Sequence, residues 1–196
     1  MAWKIQNIRP EDTYSPLEFY TSEEIKRFSN SSSMKKRQIE IAQRMLKLSG
    51  IETGKILDLG CGAGFVLGFL KDQGFKPVGV DVVKSMIAVC KSKHLEAHDA
   101  DMRELPFKDN SFDSAISVSA LQWLIGENAD IKKVAKELNR VLKSKSKAVF
   151  QFYPNSEERL IAIAGIFSRN GFSAKVAIDN SDNPKKRLCF VLLQKD

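Results

Sequence analysis

The sequence predicts an α/β fold: a seven-stranded, mostly parallel sheet with helices on both faces and an antiparallel hairpin at its C-terminal end. Three observations predict it. Apolar runs of strand length alternate with patterns of helical period from residue 55 to residue 170, the order that places a parallel sheet between two helical layers. A glycine-spaced turn follows the first strand directly. The last two strands are joined by a turn-rich linker too short for a crossover helix.

The elements follow in order. After a polar N-terminal arm, Ile39, Ala42, Met45 and Leu46 recur at helical spacing, so a helix is expected over 35–48. An apolar strand over 55–59 runs into the glycines and a helix over 65–73. A strand over 77–81, a helix over 84–93 and a strand over 95–99 continue the alternation. Next come a strand over 113–119, a helix over 131–143, a strand over 147–153 and a helix over 157–170. Strands over 174–178 and 187–193 flank Asp179-Asn180-Ser181-Asp182-Asn183-Pro184, whose turn-forming residues leave no room for a helix, so these two should pair antiparallel at one edge.

The chain has 196 residues, 43% of them hydrophobic, enough to bury one sizeable core. One domain is expected over 1–196, with an N-terminal arm and helix over 1–50 closing the pocket of a core over 51–196. There is no apolar run of about 18 residues, and residues 1–6 lack the apolar stretch of a secretory signal, so an intracellular protein is expected. Cys61, Cys90 and Cys189 form no C-x-x-C pair, which suggests buried, reduced thiols rather than a disulfide framework or zinc site. His94 and His98 fall on an expected strand, where a spacing of four is too long for joint ligation, so no metal site is expected. The net charge of +7 is concentrated in Lys35-Lys36-Arg37, in 143–147 and in Lys185-Lys186-Arg187. Such clusters attract a polyanion, although a solvated surface would carry them equally well.

Function is written most clearly at Ile56-Leu57-Asp58-Leu59-Gly60-Cys61-Gly62-Ala63-Gly64, followed 21 positions past Gly60 by Asp81 at the end of the second strand. Gly60 and Gly62 let the chain turn sharply and approach a ligand closely. Asp81 can accept hydrogen bonds from the vicinal hydroxyls of a ribose. A structural reading of the same residues is a tight strand-to-helix turn with Asp58 capping the helix. The glycines run G-x-G-x-G with Asp58 two positions ahead, and this form resembles motif I of class I S-adenosyl-L-methionine-dependent methyltransferases, whose Rossmann-like fold matches the expected sheet. In that resemblance Asp58 faces the methionine end, where an ammonium needs an acceptor.

Enzymes that methylate exocyclic amines commonly carry N/D-P-P-Y/F after the fourth strand; this chain has Ser117-Val118-Ser119-Ala120-Leu121-Gln122-Trp123 there. A ring nitrogen with an in-plane lone pair, such as guanine N7, needs no base, only a slot that tolerates growing positive charge, which aromatic faces supply. Trp123 and Tyr153 follow the fourth and fifth strands, at the sheet edge where ligands bind, and with Gln122 they are the candidate catalytic residues. Ordinary core packing is the alternative for both rings.

The run 117–124, Gln151-Phe152-Tyr153-Pro154, and Asp179-Asn180 through Lys185-Lys186-Arg187-Leu188 resemble the small-subunit (18S-type) ribosomal RNA guanine-N7 methyltransferase family. Arg9-Pro10-Glu11, Phe19-Tyr20 and Arg27-Phe28-Ser29 extend the likeness to the N-terminal arm, where Phe28 replaces the family's usual tyrosine. The resemblance implies S-adenosyl-L-methionine on Asp58, Gly60, Gly62, Asp81, Val82, Asp101, Met102 and Ser117, with Tyr20 and Phe28 closing the pocket from the arm. Asp101 would meet the adenine amino group and Met102 would pack on the ring. It also implies rRNA as substrate and, in a eukaryote, a nuclear or nucleolar protein. A small zinc-binding methyltransferase activator is implied as partner, adding a strand beside 95–99. The chain stops at Asp196 without the long basic tail of many eukaryotic relatives. Two rival expectations stand. Leu105-Pro106-Phe107 with Ser111-Phe112-Asp113 is shared with methyltransferases of small molecules such as quinone precursors, and an assembly factor with a mainly structural role would use the same basic surface.

Overall fold

The computed structural model describes residues 9–196, so the expectation for residues 1–6 lies outside the described residues. One sheet is formed by β1 (Lys55–Leu59), β2 (Lys76–Asp81), β3 (Ala97–Asp99), β4 (Phe112–Val118), β5 (Leu142–Phe152), β6 (Phe172–Asp179) and β7 (Leu188–Lys195). Its order is β3-β2-β1-β4-β5-β7-β6. Strands β1 to β5 pair in parallel, and β7 lies antiparallel to both β5 and β6, as expected for the closing hairpin. The centre of the sheet is almost continuously apolar because helices cover both of its faces: Ile56, Leu57, Leu59, Ala115 and Ile116 are fully buried.

On one face α6 (Asn128–Val141) and α7 (Glu157–Ser168) pack Leu138 and Phe167 against Leu57 and Phe150. On the other, α3 (Ser32–Ser49) and α4 (Phe65–Asp72) pack Ile41, Met45, Val66 and Leu70 against Ile56, Val149 and Phe190. Each fully buried side chain of this size contributes about 2 kcal/mol. Helix α3 begins on the Ser31 hydroxyl, which accepts from the Met34 N–H, and ends where Gly50 enters the left-handed region at φ +62°. Helix α5 (Lys84–Ser92) flanks β3. Among the described residues no helix is long and apolar enough to cross a membrane.

The structure moves some boundaries. The helix expected over 131–143 begins at Asn128 and stops at Val141, and Leu142 already opens β5. The cause is a bulge. Leu142 is buried opposite Phe112, the register shifts between Phe112 and Ser114, and Lys145 takes φ +62°, which turns Lys143, Ser144 and Lys145 to solvent. The expected strand over 95–99 shortens to β3, because Leu95 turns inward against Cys61, Leu67, Ile87 and Cys90. In the arm, α1 (Pro16–Phe19) and α2 (Ser22–Ser29) are too short to show a period. Their signal lies in the caps: Ser15 and Glu18 form a capping box around Pro16, and the Thr21 hydroxyl accepts from the Glu24 N–H.

Candidate active site

After β1 the chain turns through Gly60, Gly62 and Gly64, all left-handed at φ +76°, +51° and +78°. A Cβ on Gly60 would lie 2.2 Å from that of Ala120, so only glycine fits there. The Gly60 and Cys61 N–H groups donate to the Val80 carbonyl, tying the turn to the end of β2. One residue further on, the Gly62 N–H donates to Asp81 Oδ2 at 2.8 Å and the Val83 N–H to Oδ1 at 2.9 Å. Each carboxylate oxygen keeps further lone-pair capacity in a fixed direction. Burial lifts the Asp81 carboxyl above the ordinary value against the pull of these amides.

Asp58 lies within β1 at 1% exposure, and its Oδ2 has no hydrogen-bond partner. Burial, with the Asp81 charge second, pushes its pKa up to about 8. Its Oδ2 keeps an unused capacity to accept a hydrogen bond. Behind the turn, the Cys90 thiol donates to the Gly62 carbonyl at 3.1 Å. A hydrogen bond to Cys90, then burial, raises the Cys61 thiol well above its usual value, so two of the three dispersed cysteines meet as buried thiols.

A cavity of about 240 Å³ opens at the carboxyl ends of β1 to β4. Of the residues singled out in the sequence, Gly60, Gly62, Asp81, Val82, Asp101, Met102, Trp123, Tyr20 and Phe28 line it. Asp101 is already engaged: Arg103 bonds both of its oxygens at 2.6–3.0 Å and reaches Asp130 on α6 at 2.8 Å. Burial alone would raise the Asp101 carboxyl, but the bonds from Arg103 outweigh it and hold it below the usual carboxylate range.

Four expected residues do not line this cavity: Asp58, buried within β1 as described above, and Ser117, Gln122 and Tyr153. Ser117 is fully buried and its hydroxyl donates to the Leu59 carbonyl at 2.7 Å, which stitches β4 to β1. Gln122 sits in the 3-10 turn Leu121–Leu124 with a buried Oε1 that has no partner. Tyr153 packs with the core under α3, and Arg9 covers its ring at 5.7 Å while donating to its carbonyl, so the structure turns this expected wall away.

The aromatic wall is built differently. Phe19 and Tyr20, from the arm, lie 5.7 and 5.8 Å from Trp123, and Tyr20 meets Phe28 edge-on at 6.2 Å. Burial, then the Asp81 charge, raises the Tyr20 hydroxyl to about 12, so it stays a neutral donor. Sequence reasoning missed Pro16, Leu17, Gln38 and Ser119, which also line the cavity. Only the Ser15–Glu18 cap could have pointed to the first two.

The basic clusters separate in space. Lys143 pairs with Asp113 at 2.6 Å and Lys147 approaches the Gly50 carbonyl at 3.5 Å, both toward the amino ends of the strands. Lys185 and Lys186 are exposed in the β6–β7 turn, at the carboxyl edge of the sheet where the cavity opens.

A family model described as a methyltransferase domain matches residues 57–150. Over 198 residues the chain is 30% identical to the 18S rRNA (guanine-N(7))-methyltransferase bud23 of Schizosaccharomyces pombe, spanning 95% of this chain and 74% of that protein. Among solved structures, a SAM-dependent methyltransferase from Aquifex aeolicus superposes with a TM-score of 0.69 at 19% identity, over 90% of this chain and 100% of that one. A methyltransferase solved with the Haloferax volcanii Trm112 methyltransferase activator superposes with a TM-score of 0.67 at 18% identity, over 88% and 98% of the two chains.

Proposed function

The chain belongs to the 18S rRNA (guanine-N(7))-methyltransferase family, and we propose that it transfers a methyl group from S-adenosyl-L-methionine to N7 of a guanine in small-subunit ribosomal RNA. The observation that carries the reading is the pairing of two carboxyls at one glycine turn: Asp81, fixed by two amides with capacity to spare, and Asp58, buried with an unpartnered oxygen. The first suits a ribose and the second an ammonium, the two ends of this cofactor.

The bound cofactor supplies an electrophilic methyl on a sulfonium. The chain's own task is alignment, since an in-line displacement by a ring nitrogen needs no proton removed in advance. Asp81 would hold the ribose hydroxyls, Gly60 and Gly62 would let the backbone approach, and Met102 and Val82 would pack on the adenine. Asp101, held by Arg103, would direct its remaining lone pairs to the adenine amino group. Trp123, with Phe19 and Tyr20 beside it, would stack on the guanine and stabilise the positive charge that grows on the ring. Leu17, at 66% exposure on the cavity rim, lies where RNA would enter.

The small-molecule reading weakens on one observation. The Leu105 N–H donates to Glu137 at 2.7 Å, and Arg140 donates to the Leu105 and Phe107 carbonyls at 2.9 and 2.6 Å. The shared Leu-Pro-Phe segment is thus a clasp on α6, and it lies outside the cavity lining.

A small zinc-binding activator would add a strand beside β3. This strand is a sheet edge whose Glu96 carbonyl side pairs with β2, so the Ala97 and Asp99 backbone groups alternate to the open side. Work on pre-ribosomal particles would place the protein in the nucleolus of a eukaryote. The test is transfer of labelled methyl from S-adenosyl-L-methionine to small-subunit rRNA by the full chain with its activator, read as N7-methylguanine. Asp81→Lys should stop the transfer; label entering free metabolites but no rRNA would overturn the proposal.

A further inference from the structure

We propose that Ser119, held by Gln151, reads the hydrogen-bonding edge of the target purine and thereby selects guanine, an assignment that rests on the methyl-transfer reading above. Ser119 follows β4 directly and takes φ +53°, a left-handed conformation that a residue with a Cβ enters only under strain. Two bonds hold it there: its N–H donates to the Gln151 carbonyl at 2.9 Å, and its Oγ donates to Gln151 Oε1 at 2.7 Å. Ser119 lines the cavity in company with Trp123. With its one hydroxyl hydrogen committed to Gln151, Oγ has only lone pairs left to offer.

The surroundings show unmet polarity rather than packing. Gln151 is fully buried on β5 and its Nε2 has no partner; Gln122 Oε1, in the turn that carries Trp123, is likewise buried without one. Buried polar atoms are normally satisfied, and a strained residue flanked by two that are not marks a site shaped for something else. The two carboxylates on the cavity wall, Asp101 held by Arg103 and Asp81 by two amides, are assigned to the cofactor in this reading, which leaves Ser119 for the base.

The chemistry selects the base. On its Watson–Crick edge guanine presents N1–H and an exocyclic NH₂, both donors, whereas adenine presents a bare N1. An acceptor-only hydroxyl bonds the first and opposes the lone pair of the second. Ser119 is therefore a specificity residue. Gln151, which lies outside the cavity lining, is a positioning residue that acts through Ser119.

The test uses the full chain with its activator and RNA fragments carrying guanosine, inosine (no exocyclic amine) or 2,6-diaminopurine (no N1–H) at the target position. Ser119→Gly relaxes the backbone while deleting the hydroxyl, and Gln151→Met removes the tether at similar volume. The wild type should methylate guanosine roughly tenfold faster than at least one analogue, the size of one lost hydrogen bond. Both variants should lose that factor on guanosine and cease to distinguish it from that analogue, with S-adenosyl-L-methionine affinity by calorimetry kept within about twofold. Variants that slow all three bases equally, or that keep the wild-type order, overturn the assignment, as does a tenfold loss of cofactor affinity, which would put Ser119 at the cofactor instead. A wild-type chain that takes up the cofactor but methylates no RNA overturns the proposed function and this assignment together.

Discussion

Binding of S-adenosyl-L-methionine should expel a proton from Asp58. With a pKa of about 8, the carboxyl is protonated in roughly 0.9 of molecules at pH 7. An ammonium brought against the unpartnered Oδ2 restores an ordinary carboxylate, so close to 0.9 proton should leave per cofactor bound at pH 7, and about half a proton at pH 8. Titration calorimetry in two buffers of different ionisation enthalpy measures this number as the slope of apparent enthalpy, and Asp58→Asn supplies the background to subtract. Equal slopes for wild type and Asp58→Asn would refute the placement of the ammonium. The same shift carries a stability signature. Because the folded pKa is raised above the unfolded value, the stability it contributes is fully present below about pH 4 and is lost as pH rises toward about 8. About 3 pH units separate the ordinary carboxyl value of 3.8 from neutrality, so the apo wild type should lose about 4 kcal/mol more than Asp58→Asn between pH 4 and pH 7 in urea unfolding.

Gly60→Ala should destabilise by about 3 kcal/mol or more in urea, since it sets a methyl 2.2 Å from the Ala120 Cβ at a left-handed φ; a loss under about 1 kcal/mol would show that the turn can yield. Arg103→Met should free Asp101, raise its pKa into the ordinary carboxylate range by NMR titration and loosen the 101–104 turn from α6; an unmoved titration would show that Arg103 is not what holds it down. Asp99→Pro removes an outward N–H on β3 and should weaken the activator complex by at least about tenfold in a pull-down titration, with cofactor uptake retained; an unchanged complex rules out strand addition there. Arg44→Ala breaks the bidentate pair with Asp179 that ties α3 to the end of β6, but the partners are partly exposed, so only about 1 kcal/mol should be lost.

The convergence of the proposed cofactor residues was legible in the sequence because its cause is local. Glycines that must turn and an acid at the end of the next strand are constrained by spacing alone, and Gly60, Gly62 and Asp81 meet where that spacing puts them. The substrate end was not. Whether the ring after β5 faces the cavity depends on Arg9, some 144 positions earlier, and the Arg9 guanidinium over Tyr153 settles the matter through a contact no local pattern encodes. The place of Ser117 was not legible for a related reason: a serine at the end of a buried strand can face a ligand or tie the sheet, and here its hydroxyl donates to the Leu59 carbonyl. The α6–β5 boundary failed at 142–147 because a bulge breaks the alternation on which strand patterns rest.

The two halves of the site are mechanically one. Ala120 can lie against the β1 turn only because Gly60 has no side chain, and Ser119, its neighbour, adopts its strained shape in that same step off β4. In the proposed reading, the geometry that would bring the backbone close to the cofactor therefore also sets the direction of the residue that would face the base. Trp123 follows in the 3-10 turn Leu121–Leu124 that Ala120 caps, and the arm reaches it through Phe19 and Tyr20. A disturbance at the glycine turn should consequently be felt at base selection as well as at cofactor affinity, whereas one at the arm should alter stacking and leave the carboxyls of Asp58 and Asp81 where the sheet holds them.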